Sequence, residues 1–189
     1  MARPLSDAKR TAILIAAAEQ VAARGVGAST AQIAKAAKVA EGTVFTYFET
    51  KDALLNALFV RLEERLALAI GGSFPADAEV REQLLHVWNA LLVWGAQSPV
   101  ERMALRQLKV SERITECTRT QCAGLFGTML QDLEARIAEH AAPERVPFYL
   151  GRVMISLLET TLEAMAAQPE QRQMLQQAGF DLFWKGIQR

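Results

Sequence analysis

Histidine and cysteine are nearly missing, at two residues each in a chain of 189. His86 and His140 fall on different predicted helices, so neither a two-histidine metal motif nor a Cys/His zinc cluster can be assembled, and no metal is expected. Cys117 and Cys122 are five positions apart, which on a helix turns them about 140° away from each other. They read as free thiols, and Arg119 is the only neighbouring cation that could activate either. The chain has no glycine-rich phosphate loop and no Gly-x-Ser-x-Gly elbow, and the acids toward residue 140 read as a solvated face. These absences argue against an enzyme: no catalytic residue and no cofactor are expected. A long apolar run is lacking too. Residues 11–23 come closest, but Glu19 and Gln20 interrupt them and they are too short to cross a bilayer. With no signal-peptide pattern either, the expectation is a cytoplasmic protein with no membrane partner.

Aromatic residues make up only 7% of the chain, whereas hydrophobic residues as a whole reach 51%. The bulk is aliphatic, and its spacing is helical throughout; no strand alternation competes with it. The expectation is an all-α protein of about nine helices. Helix one starts at Ser6 or Asp7 and is stopped by Gly25. Helix four covers Lys51 to about Ile70, with Leu54, Leu55, Leu58, Phe59, Leu62, Leu66 and Ile70 on one stripe. Residues 71–75 break it, and Asp77 is the expected cap of helix five, which carries Val80, Leu84, Val87, Trp88, Leu91 and Leu92. Ser98, Pro99 and Glu101 form a start signal for helix six, with a capping box and proline in the first turn. Helix seven is read as long, from Ser111 or Ile114 to about His140, with Gly124 and Gly127 marking a close helix contact. The last two helices run from about Glu144 to Ala167 and from Pro169 to Gln188.

Residues 29–51 carry the most specific local chemistry. Ser29 followed by Gln32 is a capping box, so a helix starts at Thr30 and turns Ile33, Ala34 and Ala37 inward. Lys38, Val39 and Ala40 form a joint. A second short helix covers Glu41 to Tyr47, with Val44 and Phe48 directed to the interior. Gly42 and Thr43 put little bulk at its N-terminus, where a phosphate or a groove wall could approach closely. Thr50 caps the next helix. Lys51 in that first turn opposes the helix dipole, which a neighbouring phosphate would explain. This is the pattern of a helix-turn-helix.

Together with Ile13-Leu14, Ala16-Ala17, Arg24-Gly25, Ile33-Ala34, Val39, Gly42-Thr43, Tyr47-Phe48, Lys51 and Leu54-Leu55, the segment resembles the tetracycline-repressor (TetR) family of bacterial transcriptional regulators over the first 60 or so residues. Two positions depart from the family pattern: Lys38 stands where glycine is usual in the joint, and Ala40 where serine usually caps the recognition helix. The resemblance implies a three-helix DNA-binding head, residues 1–50, on a helical ligand-binding and dimerisation body, residues 51–189. It implies three partners: a double-stranded DNA operator, a second copy of the chain, and a small-molecule effector. Phosphate-facing candidates are Thr30, Lys38, Thr43, Tyr47 and Lys51, and groove-facing candidates are Glu41, Gly42, Phe45 and Thr46. The last two helices supply the expected dimer face, through Leu150, Met154, Leu157, Leu158, Leu162, Leu175, Leu182 and Phe183. For the effector pocket the candidates are Trp88, Trp94 and Met103, then Gln107, Phe126, Met129 and Met154.

A formal charge of zero is unusual for a DNA binder, but its distribution is uneven. Residues 1–51 hold seven basic side chains (Arg3, Lys9, Arg10, Arg24, Lys35, Lys38, Lys51) against four acidic ones (Asp7, Glu19, Glu41, Glu49), a surplus of three that the rest of the chain cancels. The expected function is a repressor that binds a palindromic operator and is released by a small hydrophobic ligand. The competing expectation is a helical sensor or interaction module without sequence-specific DNA binding.

Overall fold

The computed structural model describes residues 6–188, so Arg3 of the basic surplus lies outside the described residues. The chain is all-α among the described residues, with helices α1 (Asp7–Arg24), α2 (Thr30–Ala36), α3 (Glu41–Tyr47), α4 (Lys51–Gly71), α5 (Val80–Gln97), α6 (Pro99–Lys109), α7 (Glu116–Ala123), α8 (Met129–Ala138), the single turn α9 (Val146–Phe148), α10 (Ile155–Ala167) and α11 (Arg172–Ile187). A π-helical stretch, Tyr149–Met154, joins α9 to α10, so residues 146–167 form one continuous helical run.

By packing, the chain forms two compact units: the described chain up to Arg65 with Ser98–Leu125, and Leu66–Gln97 with the segment from Phe126 onward. This partition differs from a boundary at residue 50 because α6 belongs with α1. The apolar side of α1 (Ile13, Leu14, residues 16–18 and Val21, all buried) is too wide for α2 alone, and α6 covers the rest through Ala104, Leu105 and Leu108. Gly25 ends α1 at φ +73°, a left-handed value that side chains rarely adopt, while its N–H still reaches the Val21 carbonyl at 2.8 Å.

The second unit is built around Trp88 of α5, which is fully buried. Its indole N–H donates to the Gln176 carbonyl at 3.1 Å, and its rings lie parallel to Phe183 and tilted to Phe180 of α11. Gly179 is what lets α11 come this close. A Cβ there would sit 2.5 Å from Thr161 Oγ1 and 2.8 Å from Trp88 Cζ2, closer than real contacts allow.

The helix-four stripe is buried as expected, and so is the helix-five stripe except for the half-buried Leu91. Four local expectations fail. The long seventh helix is broken: α7 ends in a 3₁₀ turn, Gly124–Phe126, and Gly127 takes φ +55° before α8 begins. Neither glycine serves a close contact, since a Cβ at either would meet nothing within 4 Å; they interrupt the helix instead. Asp77 lies in the turn before α5, two residues too early to cap it. Ser98 makes no side-chain cap, and Glu101, expected to close that box, pairs with Arg65 at 2.8 Å; an ion pair outcompeted a backbone cap.

The apolar stripes on α10 and α11 divide between inside and outside. Met154, Leu158, Leu162 and Phe183 are buried in this chain's own core; Leu150, Leu157 and Leu175 are half-buried, and Leu182 is 61% exposed. Ile155 and Met174 are exposed on the same two helices. Among the described residues no helix is long and apolar enough to cross a membrane.

Candidate nucleic-acid interface

The capping box of α2 is formed in both directions: the Gln32 N–H donates to Ser29 Oγ at 3.2 Å, and the Ser29 N–H donates to Gln32 Oε1 at 2.9 Å. Ile33 and Ala34 are buried below it. The helix ends in a Schellman motif, with the Val39 N–H reaching the Ala34 carbonyl at 3.0 Å and the Lys38 N–H the Lys35 carbonyl at 3.2 Å. The motif requires a left-handed residue, and Lys38 supplies it at φ +55°. Strain of about 1 kcal/mol is expected for a side chain there. Lys38→Gly should accordingly raise the unfolding free energy by up to about 1 kcal/mol in urea titrations, with α2 and α3 unchanged. A loss of stability would mean that the lysine side chain makes compensating contacts.

Ala40 leaves α3 without a side-chain cap, as its chemistry dictates. Glu41 compensates in another way: its carboxylate accepts from Thr30 Oγ1 at 2.6 Å, joining the N-termini of α2 and α3. Val44 and Phe48 are buried, and the side of α3 away from them is open. Phe45 is 45% exposed, which excludes a core role, while Gly42 and Thr46 are exposed and Thr43 is half-buried. A Cβ at Gly42 would meet nothing within 4 Å, so internal packing does not explain this glycine. Thr46 Oγ1 donates back to the Gly42 carbonyl at 3.0 Å, which uses its proton within the helix and leaves the methyl and the oxygen lone pairs. The Tyr47 phenol oxygen accepts from the Ser6 N–H at 2.9 Å, tying the start of α1 to the end of α3 and leaving its own proton free to donate.

Thr50 caps α4 by accepting from the Ala53 N–H at 3.0 Å. The Lys51 ammonium has its pKa held below the ordinary lysine range, first by partial burial and then by the Arg113 guanidinium, with Asp52 opposing. Arg113 pairs with Asp52 at 2.7 Å, and its backbone is held by Asn56: Nδ2 donates to the Arg113 carbonyl at 2.8 Å, and Oδ1 accepts from the Thr115 N–H at 3.0 Å. Sequence reasoning missed Arg113, Asn56 and the Thr30–Glu41 and Ser6–Tyr47 bonds. Their partners are 11 to 61 positions apart, and no local pattern marks them.

The pocket candidates are not brought together. Met103 and Gln107 are exposed on α6 in the first unit; Trp88 and Met154 are core, and Phe126 and Met129 half-buried, in the second. Only Trp94 of the seven lines the cleft beside α5.

Residues 13–58 match the family described as bacterial regulatory proteins, tetR family. Solved structures extend the likeness over the whole chain. A TetR family transcription regulator from Marinobacter aquaeolei VT8 shares 23% identity at a TM-score of 0.80, over 97% of both chains. A structure from Shewanella sp. PV-4 assigned to the same family shares 24% identity at 0.80, over 96% of this chain and 98% of that one. The regulator FadR from Bacillus subtilis, solved in complex with stearoyl-CoA, shares 19% at 0.65, over 94% and 98%. At these identities the likeness of the structures is one of fold.

Proposed function

We propose that this chain, a member of the tetR family of bacterial regulatory proteins by its residues 13–58 and its fold, is a cytoplasmic repressor rather than an enzyme, and that it binds a palindromic DNA operator as a homodimer and is released by a small hydrophobic ligand. Residues 1–50 form the DNA head, and residues 51–189 serve ligand binding and dimerisation. The observation that carries this reading is the open side of α3, where an unexplained glycine, an exposed phenylalanine and a threonine methyl lie next to each other on a helix too short to have a use of its own. Gly42, Phe45 and Thr46 read bases, with Phe45 suited to a thymine methyl. Lys38, Thr43, Tyr47 and Lys51 hold phosphates, the free Tyr47 proton being one donor, and Thr30, whose hydroxyl proton goes to Glu41, offers a phosphate only its backbone N–H. Glu41 is engaged with Thr30 and sets the angle of α3 rather than reading a base.

A seven-residue helix reads only a few base pairs, so useful specificity needs a second copy on a two-fold site. Exposed Met174 and Leu182 are eight positions apart on α11, with Ala178 between them, and Ile155 of α10 is exposed too; they suit the dimer face better than the buried members of the same stripes.

Footprinting on genomic DNA, followed by gel-shift titration at several salt concentrations, tests the reading. Absence of salt-sensitive, sequence-selective binding would overturn it in favour of a sensor module without DNA binding. Gly42→Ala separates function from folding. It should raise unfolding stability by about 0.5–1 kcal/mol, because alanine is the better helix former and its methyl meets nothing, while weakening operator binding. Equal affinity in this variant would remove Gly42 from the contact surface.

A further inference from the structure

The segment between α6 and α7 is fixed against the first turns of α4, from which it is 57 to 61 positions away in the chain. Asn56 of α4 holds it at two points: Nδ2 donates to the Arg113 carbonyl at 2.8 Å, and Oδ1 accepts from the Thr115 N–H at 3.0 Å. The segment is also tied to itself. Ser111 Oγ accepts from the Arg113 N–H at 3.2 Å, and the Arg119 guanidinium donates to the Lys109 and Ser111 carbonyls at 3.1 and 2.9 Å. These residues belong to the first compact unit, together with α1, α2 and α3.

The anchoring brings the Arg113 side chain to the start of α4. Nη1 donates to Asp52 Oδ1 at 2.7 Å, and the guanidinium is near enough to Lys51 to help lower that ammonium's pKa. Two cations thus share one carboxylate, and the repulsion between them works against folding. The ion pair returns little, because the Arg113 and Asp52 side chains are 48% and 56% exposed. Packing offers no other reason for the arginine, which is exposed. Among the described residues Nη1 is the one guanidinium nitrogen with an acceptor, so the Nε–Nη2 edge stays open. That edge presents two parallel N–H groups, the arrangement that matches two oxygens of a phosphate.

We propose that Arg113 is a further DNA-contacting residue, carried by the α6–α7 segment to the sugar–phosphate backbone beside Lys51, where its open edge holds a phosphate. The inference rests on the DNA-binding reading above and extends the interface to a residue outside 1–50. A phosphate there compensates both cations at once, and Asn56 supplies the fixed backbone from which the guanidinium reaches it.

The full-length protein is titrated by fluorescence anisotropy, at several salt concentrations, against a labelled duplex recovered by footprinting and a mixed-sequence duplex of equal length. Arg113→Ala should weaken binding to both by roughly 10- to 100-fold near 0.1 M salt, and the slope of log affinity against log salt should become shallower by about 0.9 for each phosphate lost. Arg113→Lys keeps a cation and should recover most of that slope. Asp52→Asn breaks the ion pair but leaves the guanidinium. Its binding should stay level or tighten by up to about tenfold, because a carboxylate leaves the surroundings of the phosphate. A structural latch between α4 and the segment predicts the opposite: it needs both partners, so Asp52→Asn would weaken binding as Arg113→Ala does. The pair is exposed, so circular dichroism and the urea midpoint should stay near wild type in all three variants. Wild-type affinity or an unchanged slope in Arg113→Ala, the alanine variant's slope in Arg113→Lys, or weakened binding in Asp52→Asn would each overturn the proposal and leave the DNA-binding reading standing. That reading fails separately, and takes the proposal with it, if the wild-type protein shows no salt-sensitive binding to either duplex.

Discussion

Trp88→Ala should destabilise the protein by about 3–5 kcal/mol, the range for removing a fully buried large aromatic side chain. The variant gives up the parallel packing on Phe183 and the tilted packing on Phe180, and it leaves the Gln176 carbonyl without its donor. Gly179, whose Cβ position lies 2.8 Å from Trp88 Cζ2, has no side chain to help refill the space. Trp88→Phe keeps a ring in place and removes chiefly the N–H bond, so it should cost much less, about 1–2 kcal/mol. Urea unfolding followed by circular dichroism measures both. A loss below about 1 kcal/mol for the alanine variant would mean that Trp88 borders a cavity, as a pocket-lining residue would, and is not the centre of the core.

On the proposed function, in which each copy of a dimer sets one Lys51 against a phosphate, Lys51→Ala should weaken binding to all DNA sequences alike, by roughly 10- to 100-fold near 0.1 M salt. The slope of log affinity against log salt should become shallower by about 0.9 for each phosphate no longer neutralised. Folding should not suffer. Lys51 lies at the N-terminal end of α4 and next to Arg113, so its charge opposes both the helix dipole and a neighbouring guanidinium. Removing it relieves both, and unfolding stability should stay level or rise slightly. Loss of affinity confined to one operator variant, or a slope that does not change, would remove Lys51 from the phosphate-facing set.

The parts of the interface legible in the sequence are local ones: the Ser29–Gln32 box, the uncapped Ala40 and the Thr50 cap, whereas Lys38 was marked only by standing where the resembled family usually has glycine, and its left-handed backbone came with the structure. The burial of Val44 and Phe48 was legible too, because period alone turns them inward. The role of Glu41 was not. Its carboxylate could have faced a base or Thr30, and only the crossing of α2 and α3 brings Oγ1 within 2.6 Å. The same holds for Tyr47, whose phenol meets a backbone N–H 41 positions away.

An apolar stripe shows that a helix face avoids water, but it does not say what covers the face. Phe183 and Leu182 are neighbours in one stripe-rich helix, yet one is core and the other is open to solvent. Trp88 and Trp94 sit on the same helix with the same side chain, and only the approach of α11 gives one indole an acceptor and leaves the other without. The sequence by itself determined the helices, the helix-turn-helix and the basic bias of the head, because hydrogen bonds over three to five residues and local charge decide these. The tertiary structure alone decided which buried groups find partners, that α6 packs on α1, and that the seventh helix breaks at its glycines. Those outcomes depend on contacts between distant segments, which a one-dimensional period does not encode.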